Sequence, residues 1–354
     1  MSGTSMDGAD AALVDFAAQT PRVLGFASMP FSRDLQQALM ALNQAGENEI
    51  ERARLAGHAL ADVYAEAAAQ AMAAAQIDPH RVRAIGCHGQ TVRHRPDLGF
   101  SVQLNDAACL AERTGIDVIT DFRARDIAAG GEGAPLAPAF HDGVFRDAGE
   151  TRAVVNIGGI ANLTLLSPRH PVWGFDCGPG NCLMDFWMAR HRGMPFDHHG
   201  EWAAGGNPDP GLLGSLQSEA YFARPAPKST GRDLFNPDWL AARIGTVAPV
   251  DVQATLLELS AWCIADHLLR HAAETRTLIV CGGGARNARL MARLQARLPT
   301  VSLRSSEDFG IPPQQVESIA FAWLARQCIE RSAIDLTRTT GARGPRILGC
   351  LTPA

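Results

Sequence analysis

A chain of 354 residues is longer than one hydrophobic core usually organises, so two lobes are expected, with chemistry in a cleft between them. Its apolar fraction of 46% and charged fraction of 19% are those of a globular protein and exclude a disordered or coiled-coil one. The net charge of −5 comes without a concentrated Lys/Arg stretch, without a membrane-length apolar run and without a signal-peptide pattern in MSGTSMDGAD. Those features speak against nucleic-acid and membrane partners and for a cytoplasmic protein with a small-molecule substrate. The eight cysteines form no CxxC pair and read as reduced, mostly buried thiols.

A glycine turn at the N-terminus leads into a strand over Ala11 to Phe16 and a second over Val23 to Met29, a β-hairpin start. An Ala-rich stretch from Glu47 to Ala75 carries apolar residues at helical spacing and predicts one long, closely packed helix. Strands follow at Val82 to Cys87, Phe100 to Leu104 and Asp117 to Asp121, with a helix over Ala107 to Arg113. This alternation of strand and helix predicts an α/β sheet. AGGEGAPLAP, around Ala129 to Pro138, marks a junction between domains 1–130 and 131–354. The second lobe opens, like the first, with a glycine turn between two β-rich runs, Arg152 to Leu166. Helices over Cys182 to Arg192, Val252 to His271, Asn287 to Leu298 and Gln314 to Arg331 are expected, with a strand at Thr277 to Cys281. The polar, Pro/Gly-rich region from Gly205 to Asn236 reads as a mobile surface excursion.

Five motifs bear on chemistry. Gly3, Thr4, Ser5, Met6, Asp7, Gly8, Ala9 and Asp10 precede a strand, where small residues let backbone and hydroxyls approach phosphate and Asp7 and Asp10 can hold Mg²⁺ through water. The same octapeptide can be an ordinary capped turn. NIGGIAN, with Gly158 and Gly159, repeats the arrangement in the second lobe. Gly282, Gly283 and Gly284 run from a strand into a helix capped by Asn287, which allows an adenine or ribose to lie on bare backbone or serves only as a strand-to-helix turn. The motif fits neither the Walker nor the Rossmann pattern. GFDCGPGN places Asp176 at a strand end, where it can accept a proton or stabilise a turn. CHGQTVRH and TDFRARD bring His88, Gln90, Arg123 and Asp126 to two strand ends, suited to sugar hydroxyls and a carboxylate unless both are solvated turns. The spacing of His88 and His94 matches no metal-ligand pattern.

Taken in order, MSGTSMDG, CHGQTVRH, TDFRARDIAAGGEGAPLAPAFH, VVNIGGIANLTLL, GFDCGPGNCLMD, PKSTGRDLFN, QATLLELSA, CGGGARN and GIPPQQVESIAFAWLA resemble the signature blocks of the anhydro-N-acetylmuramic acid kinases. The resemblance implies a two-domain actin-like (ASKHA) ATPase fold with an inter-domain active-site cleft. It also implies ATP and Mg²⁺ as cofactors and phosphorylation of O6 of 1,6-anhydro-N-acetylmuramic acid with hydrolytic opening of the anhydro ring. Residue by residue, Gly3 to Asp10 match the ATP-phosphate segment, Asp176 the catalytic base and Glu317 a second acidic position. Bottom-up, Glu317 is equally a first-turn helix charge. The alternatives are another actin-like sugar or acetate kinase, or an ATPase driving partner binding; a homodimer stays open. Two departures stand out. The chain begins inside the first motif, so the first strand of the first lobe is expected to be missing through a late start site or a shortened chain. Asn156 stands where broader actin-like enzymes have Asp, which weakens the expectation of metal contacts there.

Overall fold

The computed structural model describes residues 1–3, 6–18 and 20–354. In chain order the strands are β1 (Gly8–Asp15), β2 (Arg22–Pro30), β3 (Ile85–Gly86), β4 (Gln90–Arg95), β5 (Phe100–Leu104) and β6 (Val118–Thr120). They continue with β7 (Arg152–Ile157), β8 (Ile160–Leu166), β9 (Trp173–Pro179), β10 (Thr277–Cys281), β11 (Ser302–Ser305) and β12 (Cys350–Thr352). The α/β class is therefore as expected. The chain divides into two compact units, residues 1–140 with 315–354, and residues 141–314. The sequence suggests one junction at 130/131, whereas the structure divides the chain twice. The second division arises because β12 pairs with β6 and the helix Val316–Ile329 packs on β1 and β3. Pairing between residues so far apart in sequence leaves no local mark.

In the first unit the helix Glu49–Ala75 begins two residues later than its composition suggests and ends where Gln76 turns left-handed at φ 54°. There Ile77 N–H donates to Met72 O at 3.0 Å, closing the last turn. The helix lies so close on β2 that any Cβ at Gly25 would collide with the Ala71 carbonyl, which is what its small residues permit. Two elements carry no clear sequence signal, the helix Arg33–Ala41 and the strand β4 inside the polar CHGQTVRH block. Conversely, of the run Val82 to Cys87 only Ile85–Gly86 pairs, because β3 has β6 as its one hydrogen-bonded neighbour among the described residues.

The second unit is built on one mixed sheet in the order β11-β10-β7-β8-β9. β8 runs antiparallel to both β7 and β9, and β10 runs parallel to β7 and β11. Ala153, Val154 and Val155 of the central β7 are fully buried. The helix Pro249–His271 packs on β8 and β9 and supplies Leu256, Leu259 and Cys263 to the core. The stretch 205–236 corrects the expected surface excursion: its helices Pro210–Gln217 and Ala220–Ala223 and Phe235 bury Leu212, Leu216, Tyr221 and Phe222 in that core. A few well-spaced apolar residues outweigh a polar average once a helix offers them a surface. No single helix among the described residues is long and apolar enough to cross a membrane.

Candidate active site

In the second unit, strand register gathers polar side chains into one row. Cys281 pairs with Asn156, Asn156 with Asn162, and Asn162 with Asp176, so the row crosses four strands near the carboxyl ends of β7 and β10. Cross-strand partners share a face of the sheet. Asn156, Asn162 and Asp176 are each half-buried in strands whose other residues are mostly buried. A bulge between Ala161 and Asn162 sets the register that places Asp176 in the row, a device common beside active sites. Carboxyl ends of strands are also where α/β sheets bind ligands.

Asp176 is held rather than merely exposed. One carboxylate oxygen, Oδ2, accepts the Ser229 hydroxyl at 3.0 Å and the Thr230 N–H at 3.0 Å. Its backbone N–H donates to Lys228 O at 3.0 Å, and Tyr221 Oη donates to its carbonyl at 2.7 Å. The buried Lys228 ammonium is spent on the Tyr221 and Phe222 carbonyls, at 2.9 and 3.3 Å. Burial raises the Asp176 carboxyl above its ordinary value, against the lowering effect of those two donors. A carboxylate raised in this way is a better proton acceptor near neutral pH.

The glycine turns divide by what surrounds them. At Gly282, φ is 81° and an added Cβ would strike Asn156 Oδ1 and lie 2.8 Å from Ile157 O; at Gly284 it would lie 2.7 Å from Ile157 Cβ. These two are glycine because the chain packs on itself there. Gly158 and Gly159 differ: among the described residues an added Cβ would meet nothing nearer than 3.6 Å, Ile160 O at the first and the Arg232 guanidinium at the second. Neither needs glycine for its own packing. Bare backbone beside an exposed Arg232 is a cradle for an anion such as phosphate. The turn itself is fixed, since Gly180 and Cys182 N–H donate to Gly159 O at 2.9 and 3.1 Å and Asn181 N–H to Gly158 O at 2.8 Å. Close by, burial holds the Asp185 carboxyl up to about 6, Arg232 opposing and Asp197 adding to the shift. Asn287 caps the helix Ala288–Arg297 as expected, accepting Leu290 N–H at 3.0 Å.

The first unit collects a second polar group. Arg123 is half-buried, donating from Nη1 to Gly133 O at 2.7 Å and from Nη2 to His88 Nε2 at 2.8 Å. Desolvation lowers its pKa to about 10, with Glu317 and Asp126 opposing, which places Glu317 within electrostatic reach. His88, its ring tilted against that of Phe321 with centroids 4.5 Å apart, is driven well below the ordinary histidine range by burial and by Arg123. It is therefore neutral, with Nε2 accepting and its proton on Nδ1. Gln90 Nε2 donates to Gly3 O at 3.1 Å, and Ser2 Oγ bridges Tyr64 Oη at 2.8 Å and Gly89 O at 3.2 Å, fastening the N-terminal segment to this loop. Three buried polar atoms here, His88 Nδ1, Gln90 Oε1 and Arg123 Nε, have no hydrogen-bond partner among the described residues. Buried groups left so are costly, and a polar ligand would satisfy them.

Of the expected site residues, His88, Gln90, Arg123 and Glu317 are thus brought together in one unit, and Asp176, Gly158, Gly159 and Gly283 lie around the row in the other. Asp126 is a loop organiser, its carboxylate taken by Gly133 N–H at 2.7 Å and the Thr340 hydroxyl at 2.8 Å. Met6 and Ala9 are core residues, and Gly8 abuts the Met29 carbonyl. Asp7 is exposed before β1, whereas Asp10 lies half-buried on β1 opposite Ser28. Thr4 and Ser5 lie outside the described residues. Sequence reading did not single out Ser229, Thr230 and Arg232, although all three stand in the PKSTGRDLFN block.

Asp176, expected at a strand end, lies instead in the middle of β9, because β9 continues to Pro179 in pairing with β8. Its carboxylate raised above the ordinary value, an open glycine turn beside an arginine and buried polar atoms lacking partners among the described residues are the equipment of an enzyme rather than of a scaffold. The family model described as anhydro-N-acetylmuramic acid kinase matches residues 1–354. The chain is 55% identical over 367 residues to the anhydro-N-acetylmuramic acid kinase of Ralstonia nicotianae, with 100% of this chain and 96% of that protein covered. It is 53% identical over 366 residues to that of Variovorax paradoxus, with 100% and 98% covered. The chain belongs to the anhydro-N-acetylmuramic acid kinase family. Among solved structures, component A of the Acidaminococcus fermentans (R)-2-hydroxyglutaryl-CoA dehydratase matches at TM-score 0.46 and 11% identity, over 88% of this chain and 96% of that one. The ROK hexokinase of Thermus thermophilus matches at TM-score 0.34 and 18% identity, over 90% and 99%.

Proposed function

We propose that this protein transfers the γ-phosphoryl group of ATP to O6 of 1,6-anhydro-N-acetylmuramic acid while water opens the anhydro bridge, giving N-acetylmuramic acid 6-phosphate and ADP in the cytoplasm for cell-wall recycling. Family membership over the whole chain supports the reading. The observation that carries it in the molecule is the setting of Asp176, whose carboxyl is raised by burial and anchored through a single oxygen. Asp176 takes a proton from water, whose oxygen bonds to C1. The C1–O6 bond breaks, O6 bonds to the γ-phosphorus, and the bond from that phosphorus to the ADP oxygen breaks. Glu317 is the second acidic group, acting beside Arg123.

Gly158, Gly159 and Arg232 fit the phosphates of ATP, because the turn is open where a Cβ would be tolerated and a guanidinium faces it. Gly283 is similarly open, its added Cβ 3.8 Å from Asn181 Nδ2, and offers backbone to the nucleoside. Mg²⁺, held through water by Asp7 and Asp10, would neutralise charge on the transferred phosphoryl group. His88, Gln90 and Arg123 bind the sugar through the polar atoms that lack partners among the described residues. The test is to incubate protein, ATP, Mg²⁺ and anhydro-sugar in H₂¹⁸O and weigh the product. A phosphorylated sugar carrying one heavy oxygen is expected; a product that keeps its anhydro bridge, or ADP release that ignores the sugar, would overturn the proposal.

A further inference from the structure

Where the helices Glu49–Ala75 and Ala107–Thr114 of the first unit meet, three side chains of different chemistry converge. His58 comes from the long helix, Asp106 from the N-cap of the short one and Cys109 from its first turn. Each presents one potential metal-ligand atom, and the three atoms lie within 4.8 Å of one another. His58 Nε2 stands 3.0 Å from Asp106 Oδ2, and the Cys109 thiol hydrogen-bonds the same carboxylate. None of the three is part of the candidate active site.

The backbone holds the group in place. Asp106 Oδ1 accepts Cys109 N–H at 2.9 Å as the helix cap, which fixes the carboxylate and leaves Oδ2 towards His58. An added Cβ at Gly57 would lie 3.1 Å from Asn105 O, so the long helix presses on the residue before the cap. Arg113 and Asp62, paired at 2.6 Å, tie the two helices a turn further on. Around a tetrahedral zinc with bonds of about 2.0–2.3 Å, ligand atoms stand roughly 3.3–3.8 Å apart, so shifts of about 1 Å or less complete the geometry. The competitor at Oδ2 is Arg54, at 2.9 Å, with its side chain 65% exposed. An ion pair so exposed contributes little, and Arg54 can turn to solvent. A divalent cation with one carboxylate and one thiolate is neutral in sum, so the exchange leaves no buried charge uncompensated.

We propose that His58, Asp106 and Cys109 bind a thiophilic divalent cation, zinc foremost, through Nε2, Oδ2 and Sγ, with water in the fourth position. The Cys109 thiol releases its proton to solvent as its sulfur bonds the metal. Imidazole and thiolate donors select zinc over magnesium, so the site does not compete for the cation that accompanies ATP. Three protein ligands and one water make an exchangeable site rather than a closed structural one. Bound there, the cation joins the two helices and stabilises the folded chain, which alone brings the three ligands together.

Co²⁺ is the probe, because its bond to a thiolate gives a charge-transfer band in the near ultraviolet. Titration of the reduced protein, first stripped with a chelator, should show that band saturating near one Co²⁺ per chain. Zn²⁺ should displace it, and excess Mg²⁺ should not. Cys109→Ser should abolish the band and His58→Gln should weaken Co²⁺ binding by at least about tenfold, whereas Cys350→Ser, at an exposed cysteine, should change neither. Zn²⁺ should raise the melting temperature of the parent and not that of Cys109→Ser. His58 is exposed and Cys109 half-buried, so both variants should fold, which circular dichroism checks. Asp106→Asn, whose amide oxygen keeps the helix cap, gives a further folded variant without the ligand. Absence of the band, a band that survives Cys109→Ser, displacement by Mg²⁺, or unchanged affinity in His58→Gln and Asp106→Asn would overturn the proposal. No measurement uses ATP or sugar, so the outcome is independent of the proposed function.

Discussion

Replacing Gly159 by alanine separates a glycine kept for a ligand from one kept for packing. The new Cβ would stand 3.6 Å from Arg232 Nη2 and 3.7 Å from Cys182 Cβ, which is ordinary contact, and the backbone there is not left-handed. Folding should tolerate it, and a Gly to Ala change at a compatible site is worth about 0.4–1 kcal/mol in favour of the folded state. The methyl group nevertheless fills the space between the turn and the guanidinium where a phosphate would sit. Loss of a hydrogen bond to a charged group costs about 1.5–3 kcal/mol, or roughly 10- to 100-fold in affinity. Gly284→Ala is the opposite case, its Cβ 2.7 Å from Ile157 Cβ, so about 1–3 kcal/mol of overpacking should lower the melting temperature by several degrees. Calorimetric titration with ATP and thermal unfolding of both variants decide the matter. A Gly159→Ala variant that is stable and binds ATP as tightly as the parent would refute the assignment of this turn to the nucleotide.

Asp176→Asn should retain binding of both ligands while single-turnover ADP release slows about 10²- to 10⁴-fold, and Glu317→Gln should be impaired less. Because the folded pKa of Asp176 is raised, the stability it contributes is full below the ordinary carboxylate pKa and lost as pH rises through the raised value. Asp176→Asn should therefore melt no lower than the parent at neutral pH, and a large loss of stability would point to a structural role. For the same reason the acidic limb of the kcat profile should lie above the ordinary carboxylate range. His141, buried with Nδ1 2.9 Å from Thr164 Oγ1, has its pKa lowered from 6.5 to about 3. The unfolded chain then binds the extra proton between those values, so lowering the pH from 7 to 5 should cost about 2 kcal/mol through this group. Denaturant melts of the parent and His141→Gln at both pH values test it; equal pH dependence in the two would contradict the assignment. Arg123→Lys, which cannot keep both the Gly133 and His88 bonds, should raise the KM for the sugar about tenfold or more and leave ATP affinity unchanged, measured as ADP release against sugar concentration.

The sequence alone determined those features that depend on neighbours along the chain. The α/β alternation, the helix through Ala75, the strand Phe100–Leu104 and the cap at Asn287 are written in periodicity and in one or two residues each. The signature blocks placed the chain in its family, because a family pattern is a linear object. Tertiary structure decided whatever depends on residues brought from afar. Only register across three strands puts Asp176 in a row with Asn162 and Asn156, and only packing distinguishes Gly284, pressed against Ile157, from the open Gly159. Asp126 and Arg123 look alike in TDFRARD, yet one is used up by Gly133 and Thr340 while the other keeps a polar atom without a partner among the described residues. The segment 205–236 appears polar in composition but anchors Asp176 through Ser229 and Thr230. Composition averages over a segment, whereas burial and hydrogen bonding act on single atoms whose partners the chain supplies only when folded.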